Sequence, residues 1–430
     1  MRIPAFGMAI FASVVIGHAL PAAAQVDQQL AQEYFKEAQA LCDRDGGRLW
    51  GVSLCGPMVI ADQKTQTLAT SQPPPDGPWP RFLGLGNAPI DWGGTTWVAF
   101  NWDFVASRTP RWRMELFIHE LFHRVQPGLG LIQPAAANEH VDAMDGRYWL
   151  RLEWRALARA LRESGAARAA AVRDALEFRQ ARHAQFAGSA EGERAVEITE
   201  GLPHYTAVVV AASSATDPDS SGAREYYAST LEQHAGTTDT QESFLRTFPS
   251  TSIPAYGLLL DASSEGWRQR LRATDDLGLL LMKAFSVQPG ADAAAAATRY
   301  GGAEIRAAEE KREQERQARL AELRRRFVDG PVLRIPGGGS AASDSRGSVV
   351  IPGVGTVFFG PFRASGPWGA LEAAKGVLVA SDGSSRRLAA PARPDGGAIA
   401  GDGWSVKAAP GWAVREGARP GDYEVVRQQP

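Results

Sequence analysis

The chain has 430 residues, two cysteines and a formal net charge of −2 at pH 7. That balance supplies no basic field to hold a nucleic acid, and 44% hydrophobic content over this length fills the cores of two or three domains rather than leaving a disordered polymer. Residues 1–24 carry Arg2, an apolar run from Ala5 to Leu20, Pro21 and Ala22-Ala23-Ala24 ahead of the polar Gln25-Val26-Asp27. This is the pattern of a secretory signal peptide, so a secreted or periplasmic protein is expected. Later apolar stretches, Tyr205 to Ala212 and Leu277 to Met282, are too short to span a bilayer, so no membrane span is expected in the mature chain. In an oxidising compartment Cys42 and Cys55 are expected to close a short loop as a disulfide.

In chain order, apolar positions at Leu30, Tyr34, Phe35, Ala38 and Leu41 predict a first helix ending near Cys42 and Gly46-Gly47. Gly56 to Thr70 reads as a hairpin turning around Asp62 to Lys64. Gly94 to Phe100, rich in β-branched and aromatic residues, predicts a strand. Thr109 and Pro110 form an N-cap and first-turn pair, opening a helix that Pro127-Gly128 stops. Helices are expected from Val141 to Arg162, from Ala166 to Phe186, and again after Gly188-Ser189 through Glu193, Glu197 and Glu200. Glu304 to Arg326 alternates acids and bases at helical spacing, with Glu309 before Arg312, Glu315 before Arg319 and Glu322 before Arg326, which predicts a solvated, ion-paired helix. From Asp329 onward the composition turns to Gly, Pro, Ser and short β-like runs, such as Gly355 to Phe359, Gly376 to Ala380 and Trp404 to Ala408, predicting a small all-β domain.

His119-Glu120-Leu121-Phe122-His123 is an HExxH sequence. On a helix the two histidines lie about 40° apart on one face with Glu120 at its edge, so two imidazoles can share one metal and the carboxylate can reach a water on it. Met114, Phe117, Ile118, Leu121, Phe122 and Val125 fall on the opposite arc, so the helix can bury one face while the other looks into a cleft. A catalytic zinc needs a third protein ligand. No third histidine follows at the short spacing HExxHxxGxxH, which leaves acidic candidates: Glu200, with Glu153, Glu197 and Asp142 as rivals. Glu193, Glu197, Glu200 and His204 all fall within about 60° of one helical face, so a register change would exchange Glu197 for Glu200.

Thr199-Glu200-Gly201-Leu202-Pro203-His204-Tyr205 resembles the Glu-Gly segment of gluzincin metallopeptidases, whose glutamate is the third zinc ligand. The resemblance covers this segment and His119 to His123 only. It implies zinc held by His119, His123 and Glu200, with Glu120 as general base for a zinc-activated water. It also implies a His or Tyr that stabilises the oxyanion, for which His204, Tyr205 and Tyr256 are candidates, and a strand, Thr96 to Phe100, whose edge pairs with an extended substrate. Two departures stand out. Glu200 lies far beyond the family's usual spacing from His123, so the helices from Val141 to Phe186 become an inserted hairpin, and Pro203 predicts a kink or early stop in the glutamate helix.

The expected architecture is α+β: a signal peptide over 1–24, a mostly helical zincin-like catalytic domain with a small sheet over 25–300, a charged helical connector over 301–327 and a β-rich accessory domain over 328–430. The expected function is zinc-dependent hydrolysis of a peptide or protein substrate. The alternatives are hydrolysis of a non-peptide amide or envelope substrate, and a non-catalytic scaffold. A role for the β domain in surface targeting rests on Trp368, Trp404 and Trp412, residues more often found in a core.

Overall fold

Asp27 opens the first helix, α1 (Gln28–Asp45), by accepting from the Leu30 N–H at 3.0 Å, and Gly46 ends it in the left-handed region at φ 56°. The structure is a computed structural model. It describes residues 25–430 except 81–82, 84–85, 135–137, 213–220, 240–242, 246, 344–347, 391–392, 396–397 and 429–430; the expected signal peptide lies outside the described residues. The fold is α+β, and the chain divides into two compact units, one reaching to Ala307 and one starting at Ala308, a boundary that falls inside the charged helix Gly302–Arg324.

In the first unit β1 (Met58–Asp62) and β2 (Thr67–Thr70) form the expected hairpin, with Val59 opposite Thr70. A second hairpin joins β3 (Ala88–Trp92) to β4 (Thr95–Asn101) through Gly93 and Gly94, both at positive φ. β3 was not anticipated because Pro89 and Asp91 interrupt its pattern; its place at the sheet edge tolerates both. The sheet order is β2-β1-β4-β3, with β1 and β4 parallel. β4 therefore lies inside the sheet, with Val98 to Asn101 paired to β1 and Thr95 to Ala99 paired to β3, and not at the sheet edge that the expectation for Thr96 to Phe100 requires.

After α2 (Trp102–Ala106) comes α3 (Pro110–Val125), with Thr109 capping Trp112 N and Pro110 in the first turn, as the sequence predicts. Its apolar arc is the core: Phe117, Ile118, Leu121 and Phe122 are fully buried. Phe117 stacks on Phe100 of β4 with ring centroids 3.9 Å apart, and Phe122 meets Trp50 at 5.1 Å. The disulfide joins Cys42 and Cys55 as expected. The chain then runs through α4 (Met144–Arg162), α5 (Gly165–Gln185), α6 (Ser189–Val196), a π-helical turn (Glu197–Gly201), α7 (Leu202–Ala212), α8 (Ser221–Ala235) and α9 (Phe248–Asp261). α7 packs against α3 and α9. No helix among the described residues is long and apolar enough to cross a membrane.

The second unit holds a six-stranded and a seven-stranded sheet, mostly antiparallel, with Tyr423–Arg427 running parallel to Val332–Pro336. Trp368 and Trp404 are buried in its core and Trp412 packs against that core, so these residues do not form an exposed aromatic face. Leu320, Leu323 and Phe327 from the end of the charged helix and the turn after it bury against Ile351, Val357 and Leu378. The helix carries the expected pair of Glu309 with Arg312 at 4.0 Å and a pair of Glu313 with Arg316, while Glu322, expected to meet Arg326, pairs with Arg325 of the turn that follows.

Candidate metal centre

One turn of α3 presents His119 and His123 to the same side, with their Nε2 atoms 3.0 Å apart. Glu200, from the π turn before α7, brings Oε2 to 3.6 Å from His123 Nε2 and 3.9 Å from His119 Nε2. Zinc ligands at roughly 2.0–2.1 Å in a tetrahedron stand about 3.3 Å from one another, so these three separations bracket what one ion needs. The donor set, two imidazole nitrogens and a carboxylate, is one that could hold a metal ion and is of a kind found in catalytic zinc sites. Glu200 is 48% exposed while the histidines are largely covered, so the group is open on one side. Among the described residues the other His/Cys/Asp/Glu cluster of this kind is Cys42, Asp43 and Cys55, whose two thiols are consumed by the disulfide.

Burial, with His123 and His204 adding to it, holds the His119 imidazole well below its ordinary pKa, in the neutral form that binds metals. At His123 burial acts the same way, but the carboxylates of Glu200 and Glu120 outweigh it and the net shift is upward. Glu120, 8% exposed, is pushed up to about 7 by burial, against His123 and with Glu200.

No family model, curated protein or solved structure matches this chain.

The three rivals for the third ligand position are engaged elsewhere. Glu153 of α4 accepts from Arg182 Nη1 at 2.6 Å and from the Tyr256 hydroxyl at 2.7 Å. Glu197 accepts both terminal nitrogens of Arg179. Asp142 accepts from Ser243 Oγ and from Phe244 N at 2.7 Å. Glu193 receives Arg182 through two nitrogens and also His140 and His183. Arg179 and Arg182, three residues apart on α5, thus gather the buried carboxylates of α4, α6 and the π turn into one cluster, a role the sequence did not reveal.

Pro203 does not stop the helix. It follows a π turn, in which Leu202 N–H bonds Glu197 O, and α7 continues beyond it. Proline has no N–H to give, and it stands four residues after Thr199 and five after Ile198, whose carbonyls instead accept the side-chain amide of Gln126 at 3.2 and 3.0 Å. Gly201 lets this turn approach α9, since a Cβ there would sit 2.5 Å from Ile253. Gln126 was also missed; its only signal is a glutamine three residues after His123.

Of the candidate oxyanion donors, His204 alone adjoins the triad, its ring centroid 6.0 Å from that of His119. Burial, assisted by His234, pushes its pKa down to about 4. The expectation for the tyrosines is corrected by burial. Tyr205 is fully buried, donating to Asp261 at 2.8 Å and accepting from Arg268 at 2.7 Å, and Tyr256 is fully buried against Glu153. A cavity of about 310 Å³ opens beside His119, walled by Trp112, Tyr227, Thr251, His204 and His234.

Proposed function

We propose that this chain is an exported zinc-dependent hydrolase of peptide bonds, with His119, His123 and Glu200 as zinc ligands and Glu120 as general base, like the gluzincins its two motifs resemble. One observation carries the reading: donors at positions 119, 123 and 200, distant in sequence, converge into a single open-sided group. Zinc held there supplies Lewis acidity and a water whose pKa falls to roughly 7. The chain's own residues do the rest. Glu120, buried at the edge of the same helical face, takes a proton from the attacking water on its carboxylate and returns it to the leaving nitrogen. His204, at the cavity wall, donates to the carbonyl oxygen as negative charge develops. The cavity beside His119 holds the substrate side chain next to the scissile bond. The disulfide supports export.

Elemental analysis together with hydrolysis of a mixed peptide library tests this. Wild type is expected to hold about one zinc per chain, lost in His123→Ala and in Glu200→Ala. Glu120→Gln is expected to keep the zinc and lose hydrolysis by roughly 10²- to 10⁴-fold. Wild-type protein that takes up no zinc on reconstitution rejects the reading.

A further inference from the structure

Gln126 caps the end of α3 and is 1% exposed, yet none of its amide atoms is wasted. Its Nε2 lies 3.0 Å from Ile198 O and 3.2 Å from Thr199 O. Carbonyls only accept, so this end of the side chain is the amino group and the other is the carbonyl oxygen. That oxygen lies 2.8 Å from His123 Nδ1, which must therefore donate. A neutral His123 with its proton on Nδ1 has its lone pair on Nε2, the atom that faces His119 and Glu200.

The opposite end of the bridge has an equally specific cause. A regular helix would spend the Ile198 and Thr199 carbonyls on N–H groups of the next turn. The π turn takes Leu202 N–H to Glu197, and residue 203 has no N–H to offer. In the π turn the Ile198 carbonyl would look to residue 203 and finds no N–H there; it and the neighbouring Thr199 carbonyl, immediately ahead of Glu200, both accept from Gln126. The Thr199 hydroxyl, accepting from Gln133 N at 3.2 Å, fastens the same segment to the loop after α3.

We propose that Gln126 is the positioning residue that joins the two halves of the centre: its carbonyl sets the tautomer of His123, and its amino group holds the turn that carries Glu200. This rests on the metal-site reading above, but half of it stands without any metal, because the tautomer is a property of the metal-free chain.

The test uses chelator-treated full-length protein labelled with ¹⁵N-histidine, at a pH where the imidazole is neutral, with the His123 signals identified by their loss in His123→Ala. Long-range ¹H–¹⁵N correlation is expected to show the proton on Nδ1 in wild type and in Gln126→Glu, which keeps an acceptor there, and its redistribution to Nε2 in Gln126→Met. Competition with a chromogenic chelator is then expected to show zinc bound roughly ten- to hundredfold more weakly by Gln126→Met. A wild-type His123 protonated on Nε2 overturns the proposal, as does a Gln126→Met protein with unchanged tautomer and zinc affinity. If wild type takes no zinc but its tautomer depends on Gln126, the hydrolase reading falls and the positioning role stands.

Discussion

Arg182 is 1% exposed and reaches Glu153 at 2.6 Å and Glu193 at 2.7 and 2.8 Å, so one guanidinium compensates two carboxylates that have no water to turn to. Removing one partner of a buried pair costs about 3–5 kcal/mol, because the remaining charge stays buried and uncompensated. Arg182→Met is therefore expected to lower the free energy of unfolding in urea by that amount; a loss under about 1 kcal/mol, the scale of a surface pair, would show that the cluster adds little. The same contacts give a pH dependence. Burial works to raise the Glu193 carboxyl, but Arg182 and the hydrogen bonds from Arg182, His140 and His183 outweigh it and hold the group well below the usual range. A depressed folded pKa contributes stability that is present above the unfolded value of about 4.3 and lost as pH falls through the folded one. The Glu193 contribution, read as the difference in urea midpoint between wild type and Arg182→Met, should thus hold level down to about pH 5 and shrink below it. The rival carboxylates separate by the same logic: Glu200→Gln is expected to lose zinc at nearly wild-type stability, whereas Glu153→Gln should keep zinc and unfold more easily, with elemental analysis and urea titration as the two readouts.

At the scale of elements, the π turn decides which carboxylate faces which partner. Uniform helical periodicity puts Glu193, Glu197, Glu200 and His204 on one face. One extra residue in the turn advances the following face by about 100°, so Glu193 and Glu197 stay with the arginines of α5 while Glu200 swings to the histidines of α3. α3 was legible in the sequence because everything that defines it, the Thr109-Pro110 start, the HExxH spacing and the apolar arc, lies within its own residues. The π turn was not legible, because its causes are a missing N–H at Pro203, a glutamine more than seventy residues earlier, and a Gly201 that admits Ile253. Strand order was hidden for a related reason: the residues of β4 announce a strand but not that β3, with Pro89, covers its second edge. Pro203→Ala tests the account. It supplies the absent N–H, so the segment is expected to relax toward a regular helix, keep or gain stability without zinc, and bind zinc at least roughly tenfold more weakly. Unchanged affinity by chelator competition would show that the turn does not depend on the proline.

At the scale of the whole molecule, the two compact units have separate hydrophobic cores, and both cysteines belong to the first. Scanning calorimetry is therefore expected to resolve two transitions, and every perturbation of the metal centre should act on one of them. A disulfide closing a loop of this length stabilises by about 3 kcal/mol on the chain-entropy model, which for a unit of this size is about 5 °C. Zinc at a hundredfold its dissociation constant adds about 2.7 kcal/mol, nearly as large a shift in the opposite direction. Reductant should lower, and zinc raise, the same transition, leaving the other in place; one transition moved by both would mean that the two cores unfold together. The disulfide loop also touches the motif helix. Arg124, the residue after His123, donates to the carbonyls of Leu54 and Cys55, and Gly56 leaves room for its guanidinium, since a Cβ there would lie 2.3 Å from Nε. Reduction frees that loop, so zinc affinity measured with reductant present should fall along with stability. If affinity holds while the transition drops, the loop supports the fold of the first unit without setting the geometry of its histidines.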